Sequence, residues 1–231
     1  MTRRLIKVCC ILLASTTSAQ EPVLNAPQIA HLQHSVVPLR VPTSRLVNGY
    51  RRHHRENCSA TVINTHPLTL LSAWHCFDGY DDLSRAAHIL VGGNWVDVRL
   101  VDSGGSMSAD WALVTVDASH VAPPTMLEPL PVLVDHKASD VLVFHVAGYP
   151  NTQDERPPSL WVSQRCPSLG RSQQWIGADC SATRGVSGGP ALVQHNGTWS
   201  VIGVVSAQRS DTMLLVAPLP TMSTLSTELI R

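Results

Sequence analysis

Along most of the chain the apolar positions come in short runs. They occupy residues 60–64, 68–72, 88–91, 95–101, 112–116, 141–146, 159–163, 190–194, 199–205 and 213–217. The runs are rich in β-branched residues, and clusters of Gly, Asn, Asp, Pro and Ser separate them. No segment among them sustains the three- and four-residue spacing of an amphipathic helix. Many short strands at this spacing predict an all-β chain, either a sandwich or barrels. Residues 221–230 have the length and composition of a short C-terminal helix. If the strands form two barrels, the divide falls in the proline-rich stretch 123–131, leaving a unit at about 45–122 and another at about 131–220.

The N-terminus departs from this pattern. Arg3, Arg4 and Lys7 precede a short apolar run at 8–14, and Thr17-Ser18-Ala19 follows. This order is that of a signal peptide cleaved after Ala19. The apolar run is far shorter than the roughly 20 residues that span a bilayer. No other stretch qualifies, so no membrane span is expected in the mature chain. The product is expected outside the cytoplasm, secreted to the exterior or to a bacterial periplasm. Residues 20–44 read as a leader, a propeptide or a loose N-terminal arm, with the main domain at 45–231.

Composition narrows the function classes. Lys plus Arg and Asp plus Glu number 17 each in 231 residues, so the chain lacks the basic excess of a nucleic-acid binder. Hydrophobic residues at 44% are enough for a sizeable core. Cys9 and Cys10 would leave with the signal peptide, which keeps Cys58, Cys76, Cys166 and Cys180. Four cysteines allow three pairings. The local one, Cys58–Cys76 and Cys166–Cys180, is expected, each bridge stabilising by roughly 3 kcal/mol on the chain-entropy model. The sequence has no Cys-x-x-Cys pair, which argues against a structural zinc site.

Three segments carry the ingredients of nucleophilic catalysis. Gly185-Val186-Ser187-Gly188-Gly189-Pro190 can turn sharply at a serine. The amides of Gly185 and Ser187 are then candidate donors to a developing oxyanion. Leu70-Leu71-Ser72-Ala73-Trp74-His75-Cys76 runs an apolar strand into a histidine, with a cysteine able to brace it. Asp110 opens the apolar run Trp111-Ala112-Leu113-Val114, where a carboxylate is costly unless paired. A histidine would be a fitting partner. The chain order His75, Asp110, Ser187 excludes the α/β-hydrolase reading of Gly185–Gly189, because that fold requires Ser, then Asp or Glu, then His.

With Gly203-Val204-Val205-Ser206 as a fourth match, these motifs resemble the trypsin/chymotrypsin-like serine peptidases. The resemblance covers residues 45–231. It implies two six-stranded antiparallel β-barrels, an active site in the cleft between them, and an acyl-enzyme mechanism without metal or cofactor. It also implies that Ser206 helps to hold the substrate backbone and that Ser181 lies at the base of the specificity pocket. Arg184, beside the oxyanion turn, is either a contact for an acidic substrate group or a solvated rim charge. Val186 stands where animal trypsins carry an Asp that captures a freed N-terminus. Ala147-Gly148-Tyr149-Pro150, and Cys180 seven residues before Ser187, are more similar to the compact bacterial branch that includes glutamyl endopeptidases. The string Arg45-Leu46-Val47-Asn48-Gly49 is read as the first strand, residues 51–57 as a loop, and Cys58 as the start of the second strand. The expected function is a monomeric secreted serine endopeptidase acting on polypeptides and open to protein inhibitors. Its side-chain preference at the cleaved bond leans to neutral residues. The alternatives are an inactive homologue serving as a binding module, and an esterase on the same scaffold.

Overall fold

In the computed structural model, residues 24–81, 85–116, 126–133, 143–151, 158–163, 165–195 and 198–219 are described. The expected signal segment and the expected helix at 221–230 lie outside them. Among the described residues one α-helix, α1 (Ala26–Ser35), is followed by thirteen strands and a 3₁₀ turn at Trp74–Phe77.

Six strands close the first barrel in the order β1-β2-β3-β6-β5-β4. They are β1 (Val36–Val47), β2 (Tyr50–Thr65), β3 (Leu68–Ser72), β4 (Ala87–Val91), β5 (Asn94–Ser103) and β6 (Ala112–Val116). The second barrel uses β7 (Val143–Gly148), β9 (Cys166–Arg171), β10 (Ile176–Asp179), β11 (Pro190–His195), β12 (Thr198–Ser210) and β13 (Met213–Pro218). Pairing of β11 with β7 closes it, and the two-residue β8 (Trp161–Val162) lies outside on β7. The all-β, two-barrel expectation is met.

Two expectations about the N-terminal end need correction. The first strand begins at Val36, not Arg45, so much of the supposed leader is barrel wall. Val36, Val37, Leu39 and Val41 of β1 are buried, and α1 ahead of it packs Leu32 into the same core. Asn25 opens α1 with a capping box, its side chain accepting from the Gln28 amide while Gln28 caps the Asn25 amide. Residues 51–57 are strand, not loop. They belong to β2, which pairs with β1 from Val47↔Tyr50 through Val36↔Thr61. Asn48 and Gly49, at φ 53° and 81°, make the two-residue turn whose left-handed backbone suits a hairpin.

The barrels share apolar packing. Leu192, Trp199, Val201, Val204 and Ala217 of the second barrel belong to the same core cluster as the first. Tyr149 adds a polar tie, its hydroxyl donating to the Val36 carbonyl at 3.2 Å. Burial pushes the Tyr149 phenol up to about 12, so the group stays neutral and keeps its proton for that bond.

Candidate active site

Each half of the site is delivered by a different barrel. The fully buried strand β3 ends at Ser72, and the chain turns directly into the 3₁₀ turn that carries His75. The Cys58–Cys76 disulfide fastens that turn to β2, and Cys166–Cys180 joins the end of β10 to the start of β9. These are the two local pairings expected from the sequence. Both sulfurs next to His75 are therefore oxidised. The cluster Cys58, His75 and Cys76 has donor atoms within 4.8 Å of one another, but it offers no thiolate to a metal ion.

Asp110 precedes β6 and is fully buried. Its cost is met on both oxygens. Oδ1 accepts the His75 backbone N–H at 2.8 Å, and Oδ2 is 2.8 Å from His75 Nδ1. Ser206 Oγ donates to the same Oδ2. With Nδ1 directed at a carboxylate, its proton belongs there, and Nε2 carries the free lone pair. Ser206 thereby has a side-chain role beside the substrate role expected of it. The residue is 4% exposed and its hydroxyl serves the acid.

The serine turn is fixed by its carbonyls. Arg184 O accepts from Asn151 N at 2.7 Å, and Val186 O accepts from Gly189 N at 2.9 Å. In a trans peptide the N–H points opposite the C=O. The amides of Gly185 and Ser187 are therefore turned away from those acceptors. Among the described residues neither donates to a protein acceptor, whereas Val186 N and Gly188 N do. Two unspent donors on one turn are what an oxyanion hole requires. Gly185 at φ 98° and Gly188 at φ 78° supply the left-handed steps. A methyl at Gly188 would overlap Ser72 Oγ and the Ser59 carbonyl, so the turn sits hard against the first barrel.

Ser59 joins the two halves, and sequence reading passed over it. Its backbone N–H donates to Ser187 O at 2.8 Å, and its hydroxyl donates to Gly185 O at 2.8 Å. Its Oγ also accepts from Tyr149 N at 2.8 Å. Because Ser59 follows Cys58, the disulfide that braces His75 also braces the serine turn. Its only signal in the sequence is that adjacency. Ser187 itself is half-buried, and no hydrogen bond joins its Oγ to His75 Nε2. Such bonds are commonly long before substrate binds.

Val186 is fully buried in the second core cluster with Phe144, Val146 and Val216. Packing holds this position where an Asp would need an ion pair. Val186→Asp strands a charge there, with an expected loss of about 3–5 kcal/mol. In a thermal melt this lowers Tm by roughly 10 °C. Unchanged melting would show that a cation reaches the site. Of the expected specificity residues, Ser181 and Arg184 are both exposed, and neither makes a recorded ion pair among the described residues. Gln208 was not anticipated. Its Oε1 accepts from the Ala182 amide at 3.0 Å, so its side chain bridges β12 to the segment of Ser181.

The model of the trypsin-like peptidase domain matches residues 58–204, more than half of the chain. The chain belongs to the trypsin-like peptidase family. Solved structures agree in fold. A thermostable serine protease, AL20, from an extremophilic microorganism is similar at a TM-score of 0.65 and 13% identity, covering 86% of this chain and 96% of that one. The active form of the Rv3671c protease from M. tuberculosis is similar at a TM-score of 0.58 and 20% identity, covering 100% of this chain and 93% of that one. No curated protein matches the sequence. Among the described residues no helix is long and apolar enough to cross a membrane.

Proposed function

We propose that this family member is a secreted serine endopeptidase in which Ser187 is the nucleophile, His75 the base and Asp110 the orienting acid. The observation that carries the reading is the fully buried Asp110, bonded to His75 Nδ1 on one side of the cleft, with two unspent amides flanking Ser187 on the other. Ser187 Oγ attacks the scissile carbonyl carbon as His75 Nε2 takes its proton. The carbonyl oxygen, now negative, is held by the Gly185 and Ser187 N–H groups. Collapse of the tetrahedral adduct expels the amine, which leaves with the proton from Nε2, and an ester to Ser187 remains. Water, deprotonated by the same nitrogen, then attacks that ester and frees Ser187. Asp110 holds the imidazole in the tautomer this sequence needs and stabilises the imidazolium.

The substrate class follows from an open strand edge. β12 pairs with β11 only as far as Val204, and beyond Val205 the described part of β12 pairs with β13 alone. An extended peptide can add to such an edge through main-chain hydrogen bonds. Neutral residues at the cleaved bond suit the absence of a carboxylate at Ser181, and Arg184 is read as a rim charge. The buried Val186 supports placement in the compact bacterial branch. Secretion is supported by the signal-like N-terminus and by two disulfides, which persist in oxidising compartments.

A peptide library and matched p-nitrophenyl esters test this reading. Cleavage at internal peptide bonds is expected, with a neutral residue on the acyl side. Fast ester turnover beside no amide cleavage would overturn the peptidase reading in favour of an esterase.

A further inference from the structure

The β1–β2 hairpin reaches beyond the barrel with an unusual distribution of side chains. Leu46 is 75% exposed, Tyr50 is 74% exposed, and Val47 between them is 39% exposed. They flank the Asn48-Gly49 turn, so the apolar side chains form the outermost point of the hairpin. Immediately behind them stand Arg51, Arg52, His53, His54 and Arg55, all exposed. Arg45 is compensated by Glu56 at 3.3 Å and Asp78 at 3.9 Å. Arg51 touches only the Ser44 hydroxyl, and Arg52 and Arg55 have no acidic partner among the described residues.

The cationic face continues into a neighbouring open groove of about 790 Å³. Arg40, His53, His54, Arg55, Arg85 and His88 line it among the described residues, together with Asp97, whose carboxylate is 3.2 Å from His88. The Arg40 guanidinium lies 3.9 Å from the centre of the Trp95 ring at its floor.

We propose that the hairpin docks the protein onto membrane surfaces that carry anionic lipid. The two halves of the pattern match the two layers of such a surface. Leucine and tyrosine at a protruding tip enter the headgroup and upper acyl region, where tyrosine is favoured. Unpaired arginines just behind them meet the negative headgroups. A soluble acidic protein would satisfy the arginines but gives no reason for water-exposed Leu46 and Tyr50 at the tip. The hairpin borders the candidate site: Ser44 N donates to Gly79 O at 2.8 Å, close after His75 in the chain. Docking by this element would tether the candidate site through that loop, whatever bond the cleft cuts.

Co-sedimentation with phosphatidylcholine vesicles, with and without phosphatidylserine, tests the proposal on the whole protein. Binding is expected only with phosphatidylserine and should fall as salt is raised. The double change R51S/R52S should weaken it on the order of thirtyfold. The double change L46S/Y50S should weaken it about tenfold or more. Both pairs are exposed, and unchanged melting of each variant confirms an intact fold. The proposal is overturned if the protein ignores the vesicles, or binds both kinds alike. It is equally overturned if L46S/Y50S binds like the wild type while soluble polyglutamate competes, which assigns the surface to acidic proteins. A dimer in sedimentation velocity that L46S/Y50S disperses would assign the tip to a second copy of the chain.

Discussion

Ser187→Ala is expected to lower kcat for peptide hydrolysis about a millionfold and to leave melting unchanged. The two effects separate because the fold uses the backbone of Ser187 and not its hydroxyl. Ser187 O accepts from Ser59 N, and the turn is closed by Gly189 N on Val186 O. The Oγ makes no recorded hydrogen bond, and its side chain is only half-buried. Alanine keeps every one of those backbone bonds and removes the one atom that could attack a carbonyl. Residual rate above water would come from the Gly185 and Ser187 amides. A variant that keeps more than about a hundredth of wild-type kcat would place the nucleophile elsewhere.

Asp110→Asn is expected to cost about ten-thousandfold in kcat, again without unfolding the protein. All the neighbours of Asp110 present donors: His75 N–H to Oδ1, and His75 Nδ1 with Ser206 Oγ to Oδ2. An amide of the same shape can satisfy the backbone N–H with its oxygen, but its NH₂ must then face Nδ1. The ring answers by moving its proton to Nε2, and the nitrogen that should accept the serine proton is no longer basic. Ser206 can rotate to accept, so the loss of stability is limited to one unpaired hydroxyl hydrogen, about 1–3 kcal/mol. Steady-state kinetics together with a melt check both halves. A loss of Tm equal to several kcal/mol would mean that Asp110 is chiefly a structural anchor.

Much of this arrangement is readable from residue pattern alone, and what is missed has definite causes. The runs at 68–72 and 112–116 are β3 and β6 to the residue, because both are mostly apolar and bounded by clear breaks. The part of β1 before Arg45 is hidden in the sequence because Pro38, Pro42, Thr43 and Ser44 break the apolar run. The prolines are tolerated since β1 meets β4 only at Leu39 and Arg40. The outer half of β2 is polar at nearly every position, which imitates a loop. There the strand is imposed by the Asn48-Gly49 turn, a local signal that outweighs the polarity behind it. β9 and β10 are short and contain Pro167, Gly170 and Gly177; pairing with each other and with the Cys166–Cys180 bridge holds them.

The candidate site divides in the same way. His75, Asp110 and the Ser187 turn are legible because each is a compact local motif. The roles of Ser59 and Ser206 are not, because their partners lie far off in the chain. Ser59 Oγ reaches Gly185 O across 126 positions, and Ser206 Oγ reaches Asp110 across 96. A serine is chemically able to serve many neighbours, and only the closed barrels determine which one it meets.

The central claim is that Ser187 is activated by His75, and a fluorophosphonate tests it most directly. Such a reagent phosphonylates a serine oxygen and releases fluoride, and it needs a base on the hydroxyl and donors on its own P=O oxygen. Intact mass is measured for the wild type, Ser187→Ala and His75→Ala after equal exposure. One adduct on the wild type and none on either variant is the predicted result. A folded, disulfide-bonded wild type that takes no adduct, or a Ser187→Ala protein that still takes one, would contradict the account.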